Sequence, residues 1–139
     1  MDCYVEGKSR PDIYKEIVKR TLKYVRQDLN VCVVYYGHPC VFVDPSNESI
    51  KQARSEGYTA RMLPGISAED CLFADLSIDP GRYGCQSFEA TDFLLHRRKF
   101  DTSSHLILWQ IRLIGDLAYN PARGNKPSLA VLVDFLKKY

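Results

Sequence analysis

Residues 31–36, VCVVYY, form an unbroken run of β-branched and aromatic side chains with no polar alternation. A strand wetted on one face would alternate, so a continuous run is the pattern of a strand buried on both faces, as in a parallel sheet covered by helices. The flanking segments supply such covers. Upstream, Pro11 suits a first helical turn, and Ile13, Ile17, Val18, Thr21, Leu22, Val25 and Leu29 recur at helical spacing to about residue 29. Downstream, GHPC ends the run, Pro45 and Ser46 open a second helix carrying Ile50 and Ala53 on one face, and Gly57 caps its C-terminus.

The alternation continues to the end of the chain. YTARML at 58–63 reads as a strand, and Ser67 stands three residues before Asp70 in a capping-box arrangement that opens a helix through Cys71, Leu72, Phe73 and Leu76. After the DPGRYG turn at 79–84 come a short strand CQSFEA, a short helix from Asp92, a strand HLILWQI, the loop NPARGNKP and a final helix with Leu129, Leu132, Val133 and Leu136. This order predicts an α/β fold with a largely parallel sheet, where ligands bind at the carboxyl ends of the strands. The loops at that edge are GHPC, LPGISAED and the segment around Gln110.

Composition removes several classes of function. With 19 Lys and Arg against 17 Asp and Glu, the formal charge of +2 gives no broad pull toward nucleic acid or a membrane surface, and HRRK at 96–99 reads as a solvated helix end. Five cysteines without a C-x-x-C argue against a disulfide framework or a closed zinc site and predict reduced thiols in a cytoplasmic protein. The apolar runs at 31–37 and 105–115 are too short or too interrupted to span a bilayer, and the N-terminus has no signal-peptide core. His38, His96 and His105 lie on different predicted elements, so no metal site is expected. Neither G-x-x-x-x-G-K-[ST], G-x-G-x-x-G nor G-x-S-x-G occurs.

The remaining residues have two readings each. YYGHPC is either a tight strand-to-helix turn or a place where ring faces and bare backbone meet a flat heterocycle. LPGISAED is either ordinary capping or a helix N-terminus whose free N–H groups bind a carboxylate or purine. Tyr4, Arg10 and Tyr14 are either surface residues or a guanidinium flanked by two phenols.

Three strings narrow the choice: YGHP, MLPGISAEDCLFADL and SFEATDFL. Together with GKSR at 7–10 and SSHLILWQI at 103–111, they resemble the tetrapyrrole methylase superfamily of S-adenosyl-L-methionine enzymes, and within it the borosin-type peptide-backbone α-N-methyltransferases. The resemblance implies two α/β subdomains with the methyl donor in the cleft between them, usually in a homodimer. In those terms residues 1–100 are a partial N-terminal subdomain, lacking its first strand and glycine-rich loop, and 101–139 begin the second. It further implies that Tyr36, Gly37, His38, Val41, Phe42, Ser67, Ala68 and Gln110 line the donor site, and that Tyr4, Arg10 and Tyr14 surround the peptide bond being methylated. Arg10 would stabilise charge on the carbonyl oxygen as the nitrogen becomes imidate-like, while a tyrosine donates a hydrogen bond or helps remove the N–H proton.

Two positions depart from the family pattern. Cys40 stands where a glycine follows YGHP, and Arg112 where a small residue is usual. The chain is expected to be a fragment that acts on a separate peptide precursor. A tetrapyrrole or other small-molecule methyl acceptor, and a non-catalytic or partner-binding remnant, are the alternatives.

Overall fold

The computed structural model describes residues 3–120, 122 and 126–139. Helix α1 spans Arg10–Val25 with Pro11 in its first turn, and Ser9 caps it by accepting a hydrogen bond from the Asp12 N–H at 3.2 Å. It ends sooner than the apolar spacing predicts. Asp28 turns left-handed at φ 57°, which breaks the helical repeat and leaves Leu29 54% exposed.

Helix α2 spans Asp44–Ser55. It terminates as predicted: Gly57, at φ 89°, lets the N–H of Tyr58 reach back to the Ala53 carbonyl at 3.0 Å. The apolar face of α1 packs on α2 through Val18, Leu22 and Ala53, and Arg26 grips Glu56 through two bonds of 2.8 and 2.6 Å.

The predicted strands at 31–36 and 58–63 are not strands: both segments are irregular and enter no ladder among the described residues. Their burial alternates in part. Val33 and Tyr35 in one, and Tyr58, Ala60 and Met62 in the other, are half-buried, while Val31, Val34, Tyr36, Thr59, Arg61 and Leu63 are exposed. A groove of 740 Å³ runs between them, lined by Val31, Val33, Tyr35, Ala60, Met62 and Leu63 among others. The run at 31–36 therefore lacks both the ladder and the two buried faces that its composition predicts, because among the described residues no strand pairs with it.

Helix α3, Ala68–Leu76, is fixed by the predicted capping box. The Ser67 hydroxyl accepts from the N–H of Glu69 and Asp70, and the Asp70 carboxylate accepts the Ser67 N–H at 2.7 Å. A single turn, α4 at Pro80–Tyr83, leads into strand β1, Cys85–Glu89. Helix α5, Ala90–Leu95, crosses to strand β2, His105–Trp109, which pairs with β1 in parallel from Cys85 opposite His105 to Glu89 opposite Trp109. A 3₁₀ turn at Ile111–Leu113 follows, and helix α6 covers Lys126–Leu136.

This parallel β–α–β unit is the α/β architecture that the element order predicts. Its core is built on Phe93, which is fully buried and contacts the rings of Phe88, Phe100 and Phe135 at centroid separations of 5.5, 5.6 and 5.4 Å. None of the described helices is long and apolar enough to cross a membrane.

Candidate functional site

The structure brings Tyr4, Arg10 and Tyr14 into one corner. Arg10 and Tyr14 lie one turn apart at the start of α1, so both face the same side of the helix. Tyr4 arrives from the preceding loop, which is pinned by a short antiparallel clasp. The Gly7 N–H donates to the Tyr119 carbonyl and the Tyr119 N–H to the Lys8 carbonyl, both at 2.9 Å, while the Arg10 N–H donates to the Leu117 carbonyl at 2.8 Å. The ring of Tyr119 stands edge-on to Tyr4 at 5.3 Å and packs with Tyr14 against the buried Cys3, Ile13 and Ile17. Lys8 and Arg20 both bind Glu16 and hold its carboxyl below the usual range.

Two features of this corner bear on chemistry. The Nε of Arg10 is buried with no hydrogen-bond partner, an expensive state for a guanidinium donor. Burial, followed by the neighbouring Tyr14, raises the pKa of the Tyr4 phenol, and Arg10 offsets only part of that. Tyr4 is therefore a phenol, not a phenolate, at neutral pH.

The expected donor-site residues lie on three loops joined by two contacts. Tyr36, whose ring is wholly solvent-exposed, precedes Gly37 at φ 75°. The His38 ring accepts the Cys40 N–H at 3.1 Å, the His38 carbonyl accepts the Val41 N–H, and Phe42 adopts the left-handed conformation at φ 54°. Buried Ser46, in the first turn of α2, donates to the carbonyls of Pro39 and Val43 and anchors this loop.

The second loop passes beside it backbone to backbone. A Cβ at Gly65 would lie 3.0 Å from the Gly37 carbonyl oxygen and 3.5 Å from the His38 Cα, so only glycine permits the approach that sets Ser67 and Ala68 next to the first loop. The third loop is tied in by aromatics. Trp109 lies 5.0 Å from Phe42, and Gln110 follows it at φ 57°, opening the 3₁₀ turn.

The sequence assigns no functional role to Gly65, Trp109, Ser46 or Tyr119, Ser46 being read only as part of a helix start. Of these, only the Pro64-Gly65 pair carries a local signal, since it marks a turn. Cys40 is exposed, and its Sγ lies 3.6 Å from the Asn47 Oδ1 of α2. Arg112 is exposed within the 3₁₀ turn. Tyr14 also lines a groove between α1 and α2 with Asp44 and Pro45. Neither that groove nor the one between 31–36 and 58–63 is lined by Arg10, His38 or Ser67.

Comparison with known proteins gives this arrangement a relationship. A sequence profile described as Tetrapyrrole (Corrin/Porphyrin) Methylases matches residues 4–115. Over 135 residues, 97% of its length, the chain is 50% identical to the methyltransferase/ribosomally synthesized cyclic peptide dendrothelin A precursor of Dendrothele bispora. It is 52% identical over 134 residues, 96% of its length, to the corresponding gymnopeptides precursor of Gymnopus fusipes. It is 47% identical over 135 residues, 97% of its length, to the omphalotin A precursor of Omphalotus olearius. The chain spans 32% of each of these relatives. The profile takes in both the Tyr4–Arg10–Tyr14 corner and the three loops, and the chain belongs to the tetrapyrrole methylase family.

Proposed function

We propose that this chain is a methyltransferase domain that uses S-adenosyl-L-methionine to methylate backbone amide nitrogens of a peptide. The observation that carries the reading is Arg10: a guanidinium with a buried, unpartnered donor, held between two phenols by a backbone clasp. An amide nitrogen is a poor nucleophile because its lone pair is delocalised onto the carbonyl. A cation and hydrogen-bond donors placed at the carbonyl oxygen favour the imidate-like form, and one such preorganised donor contributes about 3 to 4 kcal/mol. Arg10 supplies the charge. Tyr4, kept protonated by burial and by Tyr14, donates to the oxygen and does not act as the base.

The loops fit the donor on their own evidence. The bare backbone of Gly37 and the exposed ring of Tyr36 offer close backbone approach and a π face to a cationic sulfur, and the Gly65 contact holds the second loop against them. Tyr36, Gly37, His38, Val41 and Phe42 would hold it with Ser67, Ala68 and Gln110. When bound, S-adenosyl-L-methionine supplies an electrophilic methyl group on a sulfonium. This chain's residues would hold the amide nitrogen facing that methyl group, with Arg10 and Tyr4 at the carbonyl oxygen and Tyr14, the other phenol of the corner, passing the amide proton to solvent water.

The relatives, whose names join a methyltransferase to a cyclic peptide precursor, support a peptide acceptor. Exposed Val34, Leu63, Ile66 and Leu76 support association as a homodimer, and five free cysteines support a cytoplasmic location. Mass spectrometry after co-expression with candidate peptides tests the acceptor: increments of about 14 Da confined to one segment, abolished by Arg10→Ala, are expected. Methyl groups appearing only on a corrin or porphyrin would replace the peptide with a small-molecule acceptor, and no transfer with no donor binding would leave a remnant.

A further inference from the structure

The two donor loops nearest β2 are separated by more than sixty residues of sequence, yet one side chain joins them. Trp109 is the last residue of β2, paired in register with Glu89. Its indole N–H donates to the Ser87 hydroxyl of β1 at 2.6 Å, which fixes the ring from the neighbouring strand. The ring lies 5.0 Å from that of Phe42 at an interplanar angle of 41°. Phe42 and Gln110, the residues on either side of this contact, both occupy the left-handed region at φ 54° and 57°. Side chains rarely adopt that conformation, and it persists where the surroundings over-determine it.

We propose that Trp109 is a positioning residue for the donor site. It clamps Phe42 and thereby sets the distance between the 36–42 loop and Gln110. The inference rests on the reading of these loops as the donor site. Trp109 touches Phe42 and Ser87 and acts on the donor only through the loop it holds. Ser87 steadies the indole from β1, while the clamp itself is the ring contact with Phe42.

Trp109 is the only tryptophan in the chain, so its emission reports on the clamp directly. The test titrates the 139-residue chain with S-adenosyl-L-homocysteine, the demethylated form of the donor, by calorimetry and by tryptophan fluorescence. Emission is expected to change and to saturate at the same concentration as the heat. Phe42→Ala and Trp109→Ala should each weaken binding about tenfold or more, with Trp109→Phe within about threefold of the parent because a ring still meets Phe42. The Phe42→Ala/Trp109→Ala double variant should be no weaker than the worse single, since both remove one contact.

A parent chain that gives no heat overturns the donor reading, and this inference with it. A parent that binds while Phe42→Ala and Trp109→Ala bind equally well overturns the clamp alone. If Trp109→Ala does not fold, Phe42→Ala and Trp109→Phe carry the same decision.

Discussion

Replacing Gly65 by alanine separates the cost of a contact from the cost of a backbone conformation. The added Cβ would sit 3.0 Å from the Gly37 carbonyl oxygen, 3.4 Å from the Pro39 Cδ and 3.5 Å from the His38 Cα. The first distance is tighter than nine in ten Cβ contacts in proteins, and its partner is backbone, so the two loops must part by some tenths of an ångström. Forcing a methyl group into a packed site of this kind costs about 1 to 3 kcal/mol. Gly65 is not in the left-handed region, so alanine also restricts the unfolded chain and returns about 0.4 to 1 kcal/mol. The net is a loss of about 1 kcal/mol, a fall in melting temperature of roughly 3 to 5 °C for a chain of this size. Gly57→Ala is the control. At φ 89° with no atom within 4 Å, it suffers only backbone strain of about 1 to 2 kcal/mol, and it lies at the far end of α2. Thermal melts and calorimetric titration with S-adenosyl-L-homocysteine should show both variants destabilised to a similar extent. Only Gly65→Ala should lose donor affinity, by about tenfold if the loop shift costs about 1.4 kcal/mol in binding. The reasoning fails if Gly65→Ala is more stable than the parent, or if it binds as tightly as Gly57→Ala.

Phe93→Ala removes the ring around which three others pack, and urea denaturation should register a loss of about 3 to 5 kcal/mol. Arg98, with help from His96, holds the Asp92 carboxyl below its usual range, so its stabilisation is present above the unfolded-state pKa and lost as pH falls through the folded value. Melts of Asp92→Asn should accordingly lie below the parent at neutral pH and converge with it in acid. Arg10→Lys should cut methyl transfer about 10²- to 10³-fold in single-turnover assays while leaving donor affinity unchanged, because the proposed function places Arg10 at the acceptor and not at the donor. The raised phenol of Tyr4 contributes stability that is present below the unfolded-state pKa and lost as pH climbs through the folded one. Tyr4→Phe should therefore flatten the alkaline limb of the stability profile, and the parent should retain an un-ionised tyrosine in ultraviolet titration above pH 10.

What the sequence made legible was local. The Ser67–Asp70 capping box and the Gly57 stop depend on residues within one turn of each other, and both form as the spacing predicts. The β-branched and aromatic run at 31–36 is likewise local, but it forms no strand among the described residues. Pairing is not, because a ladder needs a neighbour, and periodicity cannot say which neighbour is within reach. The end of α1 was missed for a different reason: Leu29 keeps the apolar rhythm, but Asp28 tolerates the left-handed region and turns the chain first. Arg10 and Tyr14 could be placed on one helix face from their spacing, whereas Tyr4 joins them only through the clasp to residues 117–119, more than a hundred positions away.

The same distinction explains how the two halves of the site are held in relation to each other. Tyr14 is rigid on α1, and α1 is locked to α2 by Val18, Leu22 and Ala53 and by the Arg26–Glu56 pair. The first turn of α2 in turn carries Ser46, whose hydroxyl holds the Pro39 carbonyl of the His38 loop. A continuous path of packed helices therefore runs from Tyr14 to the His38 loop, and no link in it is a long flexible side chain on the surface except Arg26. Because in-line transfer is sensitive to shifts of about an ångström, the proposed function makes alignment depend on the α1–α2 interface as much as on the residues placed at the reacting atoms. That interface is far from any motif, and it is the amphipathic spacing of α1, not YGHP or LPGIS, that encodes it.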